Sequence, residues 1–301
     1  MDFRTKILFF LYKYMPFDLK GDARSINTSK KFSISCIINF YRRTDLLRNI
    51  LTCLSEQDFD KRDFEVVLVE DRGGTDEGSG LIKEFKTVLN INYIRLDKNY
   101  GRMGYSRNVG VSNAKGKYVL LLDDDTVILQ KDFLSRLYKE FNEYGADGII
   151  PKGFSSYCLV EGKYEHHDLY FPASKCTAYD KRVLKELGGF VDEIIGQEDV
   201  EFYMRFSLAG KHFYKSGSLE YFHPPFIFNN INKAAAVGSS YTNIRYRYPI
   251  VIWLLLVFNG LRYLPKIIFP MSKKIRMEIT FSTGFLYGIY CCVAGKDIGY
   301  S

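Results

Sequence analysis

The chain has 301 residues, of which 47% are hydrophobic and 26% charged, with only 8 prolines and no internal repeat. This composition excludes a disordered, fibrous or solenoid protein, and the length predicts two ordinary domains or one large α/β domain with an appendage. The net charge of +7 lies at the ends, because residues 1 to 32 carry +4, residues 33 to 229 carry −4 and residues 230 to 301 carry +7. A nucleic-acid groove through the acidic middle is therefore not expected.

The first 16 residues combine basic side chains with a short apolar run from Ile7 to Tyr12. The run is too short for a secretory signal, and no small-residue cleavage site follows it before the polar segment 20 to 31. We therefore expect no export and predict a basic amphipathic segment over residues 1 to 32. The six cysteines form no C-x-x-C pair, which favours reduced thiols in the cytoplasm.

Strand and helix patterns alternate from residue 33 onward. Strands are predicted at 33 to 38, 64 to 69, 91 to 96 and 118 to 122. Helices are predicted at 44 to 57 with Thr44 as N-cap, from about 80 to 89, and from about 105 to 114. This order predicts a mainly parallel sheet flanked by helices, which binds ligands beyond the carboxyl ends of its strands. The strand ends carry no Rossmann dinucleotide or P-loop motif, so those two classes are excluded.

Polar residues follow three of these strands and are expected to meet at one edge of the sheet. They are Asn39 and Tyr41 after the first strand, Glu70 and Asp71 after the second, and Asp123, Asp124 and Asp125 after the fourth. Three consecutive carboxylates repel one another unless a cation compensates them, and strand-end carboxylates with open coordination positions suit Mg²⁺ or Mn²⁺. The alternative is a solvated loop that caps the helix expected near Asp132.

Four segments, in the same order, resemble the family 2 glycosyltransferases with the GT-A fold. SISCIINFYRR resembles the opening strand of that family, and VVLVEDRGGTD resembles its second-strand acidic pair. GYSRNVGVSNAKGKYVLLLDDDT resembles the stretch that leads to the D-x-D motif, and KELGGFVDEIIGQEDVEFYMR resembles the acceptor-side segment with the E-D motif. Each match is weak alone, but their order and spacing over residues 33 to about 225 make chance similarity improbable.

The resemblance implies roles for individual residues. The residues that would contact the nucleotide-sugar are Asn39, Tyr41, Asp71, Arg107, Asp123 and Asp124. Tyr41 would stack on the base and Asp71 would bind it, while Arg107 and Asn108 form the Arg-Asn pair. The metal ion, Mn²⁺ or Mg²⁺, would be held by Asp125 and His223. The chain departs from the family pattern at residues 39 to 42, where Pro-Thr-Tyr-Asn is usual, and at the extra Arg72. Both departures leave the identity of the nucleotide base undetermined, and a UDP-sugar is the expected donor.

Attack by an acceptor hydroxyl needs a general base, for which Asp199 in GQEDVEF is the candidate. A helix expected to begin near Gly196 would place this carboxylate beside the acceptor. A base opposite the leaving group gives a single displacement with inversion, which the resemblance also implies. The alternative is that Glu198 and Asp199 only complement the helix dipole. Arg205 is expected to orient Glu198 or a neighbour.

A run of nine apolar residues, Ile250 to Phe258, lies between basic residues near the other end of the chain. A bilayer span needs about 20 apolar residues, so the run favours a helix in the headgroup region of an anionic membrane. A buried helix packed on the main domain and a spanning hairpin with residues 279 to 294 are the alternatives.

These patterns together predict three segments: a basic amphipathic segment at 1 to 32, a GT-A transferase domain at 33 to 228, and a basic, apolar, membrane-associating helical region at 229 to 301. The predicted protein is a cytoplasmic enzyme, peripheral on the inner face of the cell membrane. It would move one sugar to a glycan or lipid-linked oligosaccharide in surface-polysaccharide synthesis. A nucleotidyltransferase that uses strand-end aspartates and Mg²⁺, and a non-catalytic membrane-bound adaptor, are the alternatives.

Overall fold

The computed structural model describes residues 3–71, 76–97, 101–156, 164–165, 170, 174–224, 231–270, 272–296 and 298. The strands are β1 (Phe32–Phe40), β2 (Phe64–Glu70), β3 (Ile91–Arg95), β4 (Gly116–Asp123), β5 (Gly148–Ser156), β6 (Tyr164–Glu165), β7 (Cys176–Asp180) and β8 (Phe213–His223). The helices are α1 (Phe3–Tyr14), α2 (Thr44–Ser55), α3 (Asp76–Phe85), α4 (Met103–Asn113), α5 (Phe133–Tyr144), α6 (Lys181–Glu186), α7 (Glu198–Leu208), α8 (Ile231–Asn243), α9 (Ile250–Leu261) and α10 (Lys273–Val293). Two 3₁₀ turns flank α9, at Ile244–Arg247 and Leu264–Ile268.

The eight strands form one sheet, in the order β3-β2-β1-β4-β7-β5-β6, with β8 paired to β5. The half made of β3, β2, β1 and β4 is parallel throughout. In the other half, β7 runs antiparallel to both of its neighbours, whereas β8 runs parallel to β5. The expected α/β sheet flanked by helices is confirmed.

Apolar side chains on both faces of the parallel strands explain why helices cover the sheet on two sides. Every residue of β2 is buried, as is typical of a parallel strand between two helical layers. Alternate residues point to opposite faces, so Ile38 of β1 packs with α2, α3 and α5, whereas Ile37 packs with α4, α6 and α7. The N-cap prediction at Thr44 is wrong: Arg43 is the N-cap residue, and Thr44 is the first helical residue.

A third apolar cluster joins the two ends of the chain to the main domain. It includes Ile194 before α7, Met204 of α7, Tyr241 of α8, Ile252 of α9 and Phe285 of α10. Several α1 side chains, among them Leu8 and Phe9, pack against it. Helix α1 from one basic end and helices α8 to α10 from the other therefore meet in one helical layer. The predicted domain boundary at residue 228 lies outside the described residues.

One helical stretch among the described residues, Ile250–Ile268, is long and apolar enough to cross a membrane on length and composition. Only 22% of it is buried. One face of α9 contributes Ile252 and Leu256 to the third cluster, whereas Leu254 and Phe258 on the opposite face are exposed. The helix thus has a narrow buried face and a wider exposed face, so it combines features of the buried and the membrane-facing alternatives.

Candidate active site

The carboxyl ends of the central strands bring the strand-end residues together. Asn39 of β1 pairs in register with Asp123 of β4 on one side and with Val69 of β2 on the other. The backbone N–H of Asp71 donates to the carbonyl oxygen of Phe40 at 3.0 Å, which joins the ends of β1 and β2. The parallel register therefore places these residues at one edge, as expected from the strand order.

A backbone bridge adds the end of β8 to this edge. Val127 and Phe222 exchange two backbone hydrogen bonds of 2.8 Å, so the residues after β4 run beside the last residues of β8. His223 follows Phe222 and places its Nε2 2.8 Å from Asp125 Oδ1 and 3.5 Å from Asp123 Oδ2. One ligand atom from each of Asp123, Asp125 and His223 lies within 4.8 Å of the others.

The charges in this cluster are strongly coupled. Burial alone would lower the pKa of His223, but hydrogen bonds to Asp123 and Asp125 outweigh it and raise the pKa to about 9. Burial alone would raise the pKa of each of these two carboxyls, but their hydrogen bonds to His223 hold both pKa values below the usual range. The charged imidazolium of His223 thus compensates the negative charge of the two carboxylates.

The donor set fits a divalent ion. Carboxylate oxygens from Asp123 and Asp125 suit Mg²⁺ or Mn²⁺, and the imidazole of His223 suits Mn²⁺ better than Mg²⁺. His223 would give up its proton on ligating an ion, so ion binding here would release a proton.

Arg43 also belongs to this site, although the sequence reasoning did not single it out. Its two terminal nitrogens lie 2.9 Å from Asp124 Oδ1 and 2.5 Å from Asp125 Oδ2. The pKa of Asp124 is nevertheless raised to about 7, because burial and the neighbouring carboxylates outweigh the arginine. The arginine pair directly after β1 in NFYRRTD was the available signal.

The residues expected to contact the nucleotide differ in how their side chains are engaged. Asn39 is only 8% exposed, and neither atom of its amide group has a hydrogen-bond partner among the described residues. The guanidinium of Arg42 lies over the ring of Tyr41, 4.9 Å from its centre. Glu70 is fully buried and accepts a hydrogen bond from Tyr93, whereas Asp71 is partly exposed at the edge. Arg72 lies outside the described residues.

Arg107 on α4 connects the strand-end cluster to α7. Its Nε donates to Glu198 at 2.7 Å, and a terminal nitrogen donates to Asp123 at 2.9 Å. The residue is 2% exposed, and the other terminal nitrogen of its side chain has no partner among the described residues. Asn108, the next residue, instead bonds Phe190 and Asp192 and so fixes the loop before α7.

Asp199 lies in the first turn of α7 in a partly buried position. Its carboxylate accepts hydrogen bonds from the backbone N–H of Val200 at 2.8 Å and of Ser174 at 3.3 Å. Burial, and then the charge of Glu198, raise the pKa of Asp199 to about 7. Gln197, directly before the helix, has a φ of 63°, a conformation that costs energy in a residue with a side chain and is common at functional sites.

Arg205 does not orient Glu198. It is buried and forms a double ion pair with Glu201, with 2.5 and 2.8 Å between donor and acceptor. Its remaining N–H groups donate to backbone carbonyls that include those of Leu19 and Gly189. The expected partner Glu198 is held by Arg107 instead, so Arg205 acts on the neighbour Glu201.

A polar cleft of about 410 Å³ lies beside the start of α7. Its lining residues come from the N-terminal end of α4, the loop before α7, the C-terminal half of α8 and the 3₁₀ turn that follows α8: Arg102, Glu193, Ile195, Ser239, Ser240, Asn243 and Tyr246. Tyr241, which follows the lining residue Ser240 in α8, donates from its hydroxyl to the carbonyl oxygen of Gln197 at 2.7 Å. The cleft therefore neighbours the turn that presents Asp199.

Comparisons with known proteins show what this chain is similar to. The family model described as glycosyl transferase family 2 matches residues 35–196. A poly(ribitol-phosphate) beta-N-acetylglucosaminyltransferase, TarS of Staphylococcus aureus, is 33% identical over 122 residues, which are 40% of this chain and 21% of TarS. The chondroitin synthase of Escherichia coli is 37% identical over 93 residues, or 31% of this chain and 13% of that protein. The matches thus span only about a fifth or less of these relatives' length.

Solved structures show the same fold. The crystal structure of S. aureus TarS 1-349 aligns with a TM-score of 0.58 and 20% identity over 86% of this chain and 81% of that one. A mannosyltransferase from Pyrobaculum calidifontis, in complex with GDP-Man and Mn²⁺, aligns with a TM-score of 0.60 and 13% identity over 98% and 97% of the two chains. The expected GT-A fold is confirmed.

Proposed function

Because the chain belongs to glycosyl transferase family 2, we propose that it moves one sugar from a UDP-sugar to a hydroxyl group of a glycan or lipid-linked acceptor, with inversion and with a divalent ion. The observation that carries this proposal is one connected site: Asp123, Asp125 and His223 at the sheet edge, joined through Arg107 and Glu198 to the helix that bears Asp199. The nucleotidyltransferase and non-catalytic alternatives are set aside, since the relatives are named as glycosyltransferases.

Polar groups without hydrogen-bond partners at the sheet edge support the proposed site for the sugar donor. The amide of Asn39 and one nitrogen of Arg107 are buried without partners among the described residues, whereas buried polar groups normally have a hydrogen-bond partner, so both groups are available to a ligand. The preference for a uracil base rests on relatives, because TarS 1-349 has been solved in complex with UDP and with UDP-GlcNAc. We assign the nucleotide to Asn39, Tyr41, Asp71 and the edge of β4.

In the proposed reaction, the acceptor oxygen attacks the anomeric carbon while the bond from that carbon to the diphosphate oxygen breaks. The electron pair leaves with the nucleoside diphosphate, and the hydroxyl proton passes to the carboxylate of Asp199. A divalent ion held by Asp125 and His223 would supply Lewis-acid stabilisation of the diphosphate charge. A base with a pKa of about 7 is well suited to this task near neutral pH.

The acceptor assignment rests on two supports. Three relatives are named for poly(ribitol-phosphate) glycosylation or for chondroitin synthesis. The polar cleft with Arg102 at its rim lies beside the turn that presents Asp199. We propose that a glycan of this kind, in surface-polysaccharide synthesis, approaches α7 through the cleft.

We place the enzyme on the cytoplasmic face of a membrane, as a peripheral protein. Exposed apolar residues recur at helical spacing on α9 (Ile250, Leu254, Phe258) and on α10 (Leu286, Tyr290, Val293). Basic residues of the same layer, among them Arg245 and Arg276, are exposed. Apolar faces rimmed by positive charge are typical of helices that lie in the headgroup region of anionic lipid.

The proposal is tested with the purified full chain and a panel of nucleotide sugars, with and without Mn²⁺. We expect one donor, a UDP-sugar, to raise the melting temperature and to be turned over only with the ion. Asp199→Asn should lower transfer by about 100- to 10,000-fold, the usual worth of a general base, with UDP affinity nearly unchanged. Asp60→Asn, at an exposed carboxylate paired with Arg62, is the matched control. The absence of turnover with every donor would overturn the proposal, and normal turnover by Asp199→Asn would remove Asp199 from the role.

A further inference from the structure

One arginine holds two of the three consecutive carboxylates at the end of β4. Arg43 bridges Asp124 and Asp125 with separate nitrogens, at 2.9 and 2.5 Å. The two carboxylates are largely buried, with 9% and 12% of their side chains exposed, whereas 48% of the arginine side chain is exposed. The guanidinium therefore reaches the carboxylates from the solvent side.

The backbone holds the base of this side chain in place. Arg43 donates its N–H to Tyr41 O at 2.9 Å, and its carbonyl oxygen accepts from Leu47 N at 3.0 Å, as the N-cap residue of α2. The preceding residue, Arg42, has a φ of 64°, which L-residues with side chains rarely adopt. Because the backbone of Arg43 is fixed and its long side chain is half exposed, the guanidinium is the part of the residue that can move.

Both carboxylate oxygens of Asp125 are engaged. Oδ1 lies 2.8 Å from His223 Nε2, and Oδ2 lies 2.5 Å from Arg43. A divalent ion held by Asp125 must therefore displace at least one of these two partners. His223 can stay as a ligand once it loses a proton, but a guanidinium cannot lose its proton at accessible pH and cannot ligate a cation. Arg43 is therefore the partner that has to leave when the ion binds through Oδ2 of Asp125.

We propose that Arg43 is a resident cation of the donor site, which neutralises Asp124 and Asp125 while no divalent ion is bound and withdraws from Asp125 when the ion binds. This inference rests on the metal dependence in the proposed function. Its consequence is a weaker affinity for the free ion, because the ion binds only the fraction of molecules in which Arg43 has swung away. A partly exposed ion pair of this kind should reduce the apparent affinity by about 5- to 10-fold.

The first test is Mn²⁺ binding to the full chain without nucleotide, measured by calorimetry. Arg43→Gln should bind Mn²⁺ about 5- to 10-fold more tightly than the wild type. Arg43→Lys should lie between the two, because an ammonium keeps the charge but does not bridge two carboxylates as a planar fork does. Arg48→Gln is the matched control, since Arg48 lies on the same helix and pairs with the exposed Glu84; its Mn²⁺ affinity should equal that of the wild type.

The second test follows the guanidinium itself, with phenylglyoxal labelling and mass spectrometry of the wild-type chain. Added Mn²⁺ should increase the labelling of Arg43, because the side chain leaves its two carboxylates, and should leave that of Arg48 unchanged. Equal or weaker Mn²⁺ affinity in both Arg43 variants, or labelling of Arg43 that does not rise, would overturn the inference. If Arg43→Gln does not fold, Arg43→Lys and the labelling decide.

The two proposals fail in distinguishable ways. A wild-type chain and an Arg43→Gln chain that both bind no Mn²⁺ would overturn the metal dependence of the proposed function, and this inference with it. A wild-type chain that binds Mn²⁺ without any gain in the variants would overturn only the role of Arg43.

Discussion

At the scale of single residues, Asp199 carries a charge where the fold disfavours one. Its carboxylate is partly buried next to Glu198, and these two effects raise its pKa from 3.8 to about 7. Two backbone N–H groups offset only part of that cost. A carboxylate held in this way is a better base than one in water, and it is also a weak point of the folded state.

Asp199→Asn should therefore stabilise the protein while it removes the proposed base. Below about pH 4 the carboxyl is neutral in both the folded and the unfolded chain, so the substitution should change the free energy of unfolding little. Between about pH 4 and pH 7 the unfolded wild-type chain ionises first, so the cost to the wild type grows with pH and is constant above pH 7. The gain at pH 8 should be on the order of 2 kcal/mol.

Thermal unfolding at pH 5 and pH 8 checks this sign, with Asp60→Asn as the surface control. A melting-temperature gain for Asp199→Asn that is larger at pH 5 than at pH 8, or a loss at pH 8, would contradict the raised pKa.

The acidic residues of the site could be predicted from the sequence more readily than the residues that they pair with. Asp123 and Asp125 follow an apolar strand, so their place at the sheet edge could be predicted from the strand alone. Arg43 could not, because its contact with Asp124 depends on the left-handed turn at Arg42, which no residue pattern marks. The pairing of Arg107 with Glu198, 91 positions apart, likewise depends on how α4 packs against α7.

At the scale of elements, the long C-terminal helix packs closely against α8 because glycines line the contact. A Cβ atom at Gly288 of α10 would lie 1.9 Å from the carbonyl oxygen of Ala235, and one at Gly238 of α8 would lie 2.0 Å from that of Phe285. No side chain fits at these distances, so the two backbones are in direct contact. This contact fixes α10 to the layer that carries the polar cleft.

Gly288→Ala should destabilise the protein by about 1 to 3 kcal/mol, because α10 must shift to admit the methyl group. Gly80→Ala is the matched control: Gly80 lies within α3, a Cβ there meets nothing within 4 Å, and the change should stabilise by about 0.5 to 1 kcal/mol. Urea unfolding of both variants measures the two effects. A loss of stability at Gly80, or none at Gly288, would contradict the packing.

The elements that could be predicted from the sequence are those with local periodicity. The parallel strands β1 to β4 and the helices between them were predicted within a few residues, because each strand is an apolar run between amphipathic helices. The order of β5 to β8 was not predicted. These strands mix parallel and antiparallel pairs, and β5 and β8 pair over 65 positions of sequence, so their places depend on tertiary contacts.

At the scale of the whole molecule, α1 from one basic end and α8 to α10 from the other lie in one helical layer, which brings part of the excess positive charge together. The exposed apolar residues of α9 and α10 belong to this layer, as does Phe10 of α1. A lipid surface would therefore meet apolar side chains and positive charge together, while the central domain, with its slight negative charge, carries the candidate active site.

The double variant Leu254→Glu, Phe258→Glu should bind vesicles of phosphatidylcholine and phosphatidylglycerol at least about 10-fold more weakly than the wild type. Leu129→Glu is the matched control, since Leu129 is an exposed apolar residue after β4 and outside the helical layer. Vesicle sedimentation measures the affinity, which should also fall as salt is added. Equal binding by the wild type and the double variant would refute the membrane-facing role of α9.

The segment between α1 and β1 is held by the main domain at several points. The N–H groups of Gly21 and Asp22 donate to Leu187 and Phe190 at 2.7 and 2.9 Å, and Asp22 pairs with Arg247 at 2.8 Å. Leu19 supplies a carbonyl oxygen to the buried Arg205. The unit that sequence comparison recognises, residues 35–196, is therefore smaller than the unit that folds. A chimera that exchanges only the recognised part with a relative would replace the chain segment whose carbonyl groups at Leu187 and Gly189 bind the buried Arg205. An exchange that keeps all of these contacts within one source must include the leading segment and α7.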